Sequence, residues 1–404
     1  MDAKGRKKSV VLAALGLILV VIALIATPSW APFFAAVALG LFAASANGLH
    51  GALSRSTNTG LKVFAYLGGT AAFVGMVFFA GRAEVTSGQL TLALHTLLNG
   101  LQFGIFLFLV SAGLTLVLGI MNFVNLAHGS LFMFGAYFAA YVYGEIFESF
   151  YVALLVALPT MLLLGIALER TVIRWLYKRD HLAQVLATFG IIMFSNQFVV
   201  KIFGTDSLPL QRPELLSGNT PLFGAPYPLY RLAIIGAGLA IALAIYLLVN
   251  RTKAGMLVRA GASNRTMAGA LGVNIPLLFM AVFGLGAILA GFAGVMSGPA
   301  EDVFPGMGEA KLILAIVVIV IGGIGSIRGA FIAAIIVGLV EASGRTFMTD
   351  VVRAITGWVA SGEASAIEEF AQTAGPAISS MIIYILMAGI LFFRPEGLFP
   401  AKSG

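Results

Sequence analysis

The chain has 404 residues, 60% of them apolar and 10% charged, with 24 Lys and Arg against 17 Asp and Glu. An ordinary soluble domain is roughly 25% charged, and one this apolar would expose large aggregating patches, so the bilayer is the expected solvent. The absence of Cys excludes disulfides, thiolate zinc sites and thiol nucleophiles, and basic residues gathered on one side of a membrane account for the positive balance without a nucleic-acid partner.

Apolar runs close to the ~20 residues that a spanning helix needs fall at 10–27, 30–46, 61–81, 92–119, 129–144, 150–168, 182–203, 230–249, 276–297, 311–325, 329–341 and 376–393. They predict an all-α, polytopic transmembrane helix bundle of about twelve spans. About three of these form an N-terminal extension over 1–90, and the others form a core over 91–404. Residues 4–26 could be read as a cleavable signal peptide, but Thr27-Pro28 leads directly into a second apolar run, which favours a retained helix.

With Lys4, Arg6, Lys7 and Lys8 placed in the cytoplasm and sides alternating thereafter, 17 of the 24 Lys and Arg fall inside, as expected for an inner-membrane protein with a cytoplasmic N-terminus. Two longer external connections are predicted. One is the proline-rich 204–229; the other is 342–375, with Asp350, Glu363, Glu368 and Glu369 and a short surface helix. A faint internal echo links Gly135-Ala136-Tyr137-Phe138-Ala139-Ala140 with Gly329-Ala330-Phe331-Ile332-Ala333-Ala334.

Within the core, polar residues punctuate the apolar runs. Asn99 and Gln102 lie in the span before Met121-Asn122-Phe123-Val124-Asn125-Leu126-Ala127-His128-Gly129-Ser130. That stretch reads in two ways: a broken segment beside the translocation path, or a cytoplasmic turn in which Asn122 and Asn125 cap helix ends. Ser195-Asn196-Gln197, with Thr188 two turns earlier, serves either interhelical hydrogen bonding or substrate contact. On the cytoplasmic side, 251–274 is read at helical spacing. Leu257, Gly261, Ala268 and Leu271 or Gly272 give a small, apolar face flanked by Arg259 and Arg265. Such a face suits docking into another protein more than lying on lipid.

Several chemistries are missing. There is no Gly-Lys pair, hence no Walker A loop, so ATP-driven transport would need a separate ATPase. His50, His95, His128 and His181 are far apart and form no metal-ligand motif. No catalytic residue, metal or other cofactor is expected. The scarcity of acids and histidines inside the spans argues against proton coupling, though not against sodium coupling.

Five stretches, taken together, resemble a known family. They are Leu98-Asn99-Gly100; Ala112-Gly113-Leu114-Thr115 through Gly119-Ile120; Asn125-Leu126-Ala127-His128-Gly129; the segment ending Leu271-Gly272-Val273-Asn274; and Gly322-Gly323-Ile324-Gly325-Ser326 with Gly329-Ala330. The ending Arg394-Pro395-Glu396-Gly397-Leu398-Phe399 is similar too. The family is the H-type (LivH-like) permeases of branched-chain amino acid ABC importers. The resemblance implies a transport subunit, not an enzyme, that pairs with a second, M-type permease, two cytoplasmic ABC ATPase subunits and a periplasmic substrate-binding protein.

The resemblance also implies that 251–274 contains the coupling helix, and the polar residues Asn99, Asn122, Asn125, His128, Gly129, Thr188 and Asn196 are the translocation candidates. Arg259, Gly261, Asn264, Arg265, Ala268 and Gly272 become the ATPase-coupling candidates. The extra N-terminal 90 residues and the charged stretch near 350–370 depart from the compact family form. Permeases for urea or short-chain amides are similar, and a stand-alone secondary transporter is the competing class.

Overall fold

The computed structural model describes residues 87–359 and 364–399. The helices expected at 10–27, 30–46 and 61–81, and the side on which the N-terminus lies, fall outside the described residues. Eleven principal helices organise the described residues. They are α1 (Ser87–Met121), α2 (His128–Tyr141), α3 (Phe150–Leu168), α4 (His181–Phe203), α5 (Leu229–Arg251), α6 (Lys253–Ser263), α7 (Arg265–Ala270), α8 (Ile275–Glu301), α9 (Met307–Gly322), α10 (Ile327–Val359) and α11 (Ala364–Phe393). A π turn, Glu169–Ile173, carries α3 on to Leu176. One hairpin, β1 (Asn219–Leu222) and β2 (Ala225–Pro228), lies in the proline-rich connection.

Seven of these helices are long and apolar enough to cross a membrane, and the chain is a multi-pass, all-α membrane protein. Two of the expected spans are broken at their starts. The 16 residues of α9 give roughly 24 Å at 1.5 Å per residue, against about 30 Å of hydrocarbon, and α2 runs on through a π turn, Val142–Ile146, but begins only at His128. Each is preceded by irregular backbone, and the connector and the half-helix cross together.

These two broken crossings are built alike. Met121 and Glu301 end the long helices α1 and α8, and the next residue of each, Asn122 (φ 47) and Asp302 (φ 58), takes the left-handed conformation. Connectors 122–127 and 302–306 follow, and each half-helix then carries glycine as its second residue, Gly129 and Gly308. The connectors approach from opposite sides. Ile120, at the end of α1, accepts from Arg265 of α7, whereas Val303 pairs with Leu208 beyond the Phe203 end of α4. Since α5 spans between those regions, the two half-helices form an inverted pair. The sequence echo at 135–140 and 329–334 lies on α2 and α10, which do not correspond under this relation.

The chain forms two compact units. In the larger, Leu101–Gly338 with 386–399, close helix approach is bought with glycine. Gly113 lies where a Cβ would come within 2.8 Å of both the Gly286 carbonyl and the His128 ring. Gly119 similarly faces Gly325 at 2.7 Å, and Gly104 faces the Ala334 carbonyl at 2.7 Å. Such small-residue contacts are how membrane helices pack without a hydrophobic driving force between them. Gly323 (φ 101) and Gly325 (φ 78) turn the chain from α9 into α10. Leu398 and Phe399 donate backbone N–H groups to Ile321 and Gly322 at 2.8 and 2.9 Å, so the Arg394–Phe399 motif caps the free carbonyls at the end of α9.

The smaller unit contains, among the described residues, 87–100 and Leu339–Ile385. The external loop expected at 342–375 is instead the continuation of two helices with a short connection between them. The 33 residues of α10 measure roughly 50 Å, well over the hydrocarbon thickness, so their charged end projects into water. Arg353 forks onto both Glu368 oxygens at 2.5 and 2.8 Å and onto Asp350 at 2.8 Å, clasping α10 to α11. Gly375 admits Thr349 at the same contact, and Gly344 faces Ser379.

Candidate functional site

Half-way across the larger unit the two broken crossings meet. A Cβ on Gly129 would lie 2.6 Å from the Gly308 carbonyl oxygen, so the first turns of α2 and α9 touch backbone to backbone. His128 fixes the depth. Its Nε2 donates to the Val110 carbonyl at 3.0 Å, and Val110 lies eleven residues before the end of α1. That is roughly 16 Å from the helix end, near the middle of the hydrocarbon.

Polar side chains around this point lack protein partners. Thr115 Oγ1, both amide atoms of Asn125, His128 Nδ1 and Ser130 Oγ are buried without a hydrogen bond, and Asn125 is only 1% exposed. Among the described residues α2 has no side-chain cap, its N-cap position being Ala127. Asn125 therefore does not cap α2, and 122–127 is an irregular connector between two helices. Asn122 does act at a helix end, but through its backbone, as the left-handed residue that stops α1. A buried polar group left dry costs about 1–3 kcal/mol, so these atoms carry an unmet hydrogen-bonding demand.

The other translocation candidates divide. Thr188 is fully buried and bonds the Gln184 carbonyl of its own helix at 2.8 Å. Asn196 reaches out of α4 and donates to Glu309 in the first turn of α9. Asn99 lies half-buried on α1 within the smaller unit.

The connector 122–127 is held from the α7 side by Arg265 and by groups that the sequence did not single out. Gln184, 3% exposed, accepts from the Val124 N–H at 3.2 Å and donates to Arg179 at 3.1 Å. Phe123 lies edge-on to Tyr177 at 5.8 Å, Tyr177 lies edge-on to Phe279 at 5.2 Å, and Arg265 sits over Phe279 at 5.3 Å. Tyr177 also donates to Glu169, a buried carboxylate of the π turn, at 2.9 Å. Burial and that carboxylate push the Tyr177 phenol well above its ordinary pKa. An unbroken chain of side chains thus joins α7 to the connector. Aromatic residues scattered through apolar runs give no sequence sign of such an alignment.

The coupling candidates occupy two short helices rather than one. Asn264 (φ −152, ψ 102) breaks the helix and caps α7, its Oδ1 accepting from Met267 N at 2.9 Å. Thr252 and Asn274 cap α6 and α8 in the same way. The face expected from the sequence divides: Gly261 is buried against Leu278 and Ala268 is 4% exposed, whereas Leu257, Leu271 and Gly272 are exposed. Met256, Leu257, Met267 and Leu271 face outward, with Arg259 and Gly272 exposed beside them. Gly261 and Ala268 thus pack within the chain, and the bulky residues are set on the outer face.

The BraD permease protein of a high-affinity branched-chain amino acid transport system in Pseudomonas aeruginosa is 27% identical to this chain over 319 residues, 76% of this chain and 95% of BraD. The LivH permease protein of Escherichia coli is 27% identical over 328 residues, 77% and 98% of the two chains. A probable LivH permease of Methanocaldococcus jannaschii is 28% identical over 243 residues, 58% and 76% of the two chains. No solved structure matches. The family described as the permease component of the branched-chain amino acid transport system matches residues 96–391, a stretch that takes in both half-helices, the aromatic chain and the paired helices α6 and α7. The chain belongs to that permease family.

Proposed function

We propose that this chain is the H-type permease subunit of a binding-protein-dependent ABC importer for branched-chain amino acids in the bacterial inner membrane. The observation that carries the reading is the meeting of two inverted half-helices at Gly129 and Gly308, ringed by the unpartnered Asn125, His128 and Ser130. Irregular polar backbone at membrane depth is tolerated where it lines a water-filled cavity, and transporters commonly place such half-helix ends at the solute site. In this reading Asn125, His128, Gly129 and Asn196 border the path, while Asn122, Thr188 and Asn99 shape the helices around it.

The partners are a second, M-type permease, two cytoplasmic ATPases and a periplasmic binding protein. Residues 251–274 contact an ATPase through the outward face of α6 and α7, and Arg265, Phe279, Tyr177 and Phe123 carry the displacement to the connector. The N-terminus is cytoplasmic. Residues 1–90 add about three spans to the permease core over 91–404, which makes about twelve in all.

Proteoliposomes test the reading. The complete assembly, with ATP at the ATPase side and binding protein at the other, is expected to accumulate L-leucine, and the isolated chain under a leucine gradient is expected to give no saturable uptake. Saturable uptake by the chain alone would replace this reading with that of a secondary transporter.

A further inference from the structure

Glu309 lies beside the meeting of the two half-helices, in the first turn of α9. It follows Gly308 directly, so it stands one residue from the contact between the half-helices, and its side chain is exposed. Its partner Asn196 lies seven residues inside the Phe203 end of α4, roughly 10 Å below that end. Apolar side chains share the exposed surface there, among them Met193 on α4 and Ile313 on α9.

A carboxylate facing lipid at such depth is disfavoured by about 2.5–3.5 kcal/mol even on the mildest insertion scale. Intramembrane acids accordingly face protein or a water-filled cavity. The carboxylate of Glu309 meets a neutral amide, Asn196 Nδ2, rather than a cation. The nearest lysine in sequence, Lys311, is engaged elsewhere: it bonds Glu301 at 2.7 Å and lies over the Phe106 ring at 5.4 Å. An ionised carboxylate offers about four acceptor sites, and Asn196 takes one of them while fixing the side chain's direction.

We infer that Glu309, oriented by Asn196, is a solute-binding group of the translocation path and receives the ammonium group of a zwitterionic amino acid. The inference rests on the permease reading above and adds to it the end of the solute that this chain recognises. An ammonium has three donors, so it matches the acceptor capacity that Asn196 leaves unused. A carboxylate here also disfavours anionic solutes, and a neutral amide would gain less from it, because hydrogen bonds between charged groups are roughly twice as strong as neutral ones.

The test uses the complete assembly in proteoliposomes, with L-leucine as the probe. Glu309→Gln is expected to assemble and to retain binding-protein-stimulated ATP hydrolysis while leucine uptake falls about tenfold or more, and Glu309→Asp is expected to recover part of that loss. The chain has no cysteine, so Glu309→Cys supplies a single thiol in this subunit. That thiol should react with a water-soluble, cationic methanethiosulfonate in the assembled complex, and leucine should slow the reaction. Wild-type uptake by Glu309→Gln overturns the inference. So does loss of assembly in that variant, since the carboxylate would then be spent on the second permease, and so does a thiol unreactive in the complex. If the wild-type assembly itself takes up no leucine, the permease reading fails instead, and the two failures are thereby distinguished.

Discussion

Gly129 and Gly308 leave no room for a methyl group, since a Cβ on Gly129 would sit 2.6 Å from the opposing carbonyl oxygen. Gly129→Ala is therefore expected to lower the stability of the assembled protein by about 1–3 kcal/mol, the usual cost of overpacking, seen as a reduced Tm in detergent. An unchanged Tm would mean that the half-helices part easily. Thr188→Val should behave differently. Its hydroxyl bonds its own helix, and a single such bond contributes about 1 kcal/mol, so uptake per assembled complex should stay close to wild type. A large loss would return Thr188 to the path.

Part of this was legible in the residues. Asn125 and His128 stand out as polar groups in an apolar run, and their burial follows from the break between α1 and α2. Glu309 did not stand out, because Met307-Gly308-Glu309-Ala310-Lys311 reads as the polar edge of a span. Only the approach of Gly308 to Gly129 puts that edge inside the membrane. Glu169 and Gln184 were missed for a related reason: their partners, Tyr177 and the Val124 N–H, lie on other elements.

At the scale of elements, the chain of contacts from Arg265 through Phe279 and Tyr177 to Phe123 predicts uncoupling. Tyr177→Leu removes both edge-on contacts and leaves the buried Glu169 without its hydrogen bond, at a cost of about 1–3 kcal/mol. ATP hydrolysis is expected to persist in this variant while leucine uptake falls, so that more ATP is spent per leucine. Tyr177→Phe keeps the ring stack and should lose stability but not coupling. Equal uncoupling by both variants would show that the hydroxyl, not the ring chain, matters. For the outward face, Met267→Asp or Leu271→Asp should weaken copurification of the ATPase with the permease, since an apolar contact would gain an unpaired charge. Undiminished copurification would move the contact to another surface.

The elements themselves were mostly readable from apolar runs, because a bilayer demands long helices whose backbone groups are paired internally. The reading failed where length and hydropathy disagree. α10 and α11 continue past the hydrocarbon into water, and there Arg345, Asp350, Arg353 and Glu368 made a helix look like a loop. Hydropathy reports the solvent of a segment, whereas these helices are held by contacts such as that of Arg353 with Glu368. Likewise, α2 and α9 are apolar enough to look like ordinary spans, and only their start points show that each begins beside the other inside the membrane. The break at Asn264 between α6 and α7 was hidden because Gly and Ala fit either arrangement.

For the whole molecule, the inverted pair of broken crossings gives a division of labour. One connector, 122–127, is tied to the α7 side by Gln184 and the aromatic chain; the other, 302–306, is tied to the opposite side through Val303 and Leu208. A force applied at α6 and α7 would reach one half-helix first and shift it against the other, which is what alternating exposure of a central site requires. An ATPase docked on α6 and α7, as proposed, would drive this only through a contact that differs between its nucleotide states.

The central claim is that solute passes where the half-helices meet, and Asn125→Leu in the complete assembly tests it most directly. The substitution removes two buried polar atoms that have no partner, so it should leave stability unchanged or improved. The measurement is ATP-driven leucine uptake per assembled complex, taken with the abundance of that complex. The account predicts assembly at or above the wild-type level with uptake reduced about tenfold or more; wild-type uptake from the same preparation would contradict it.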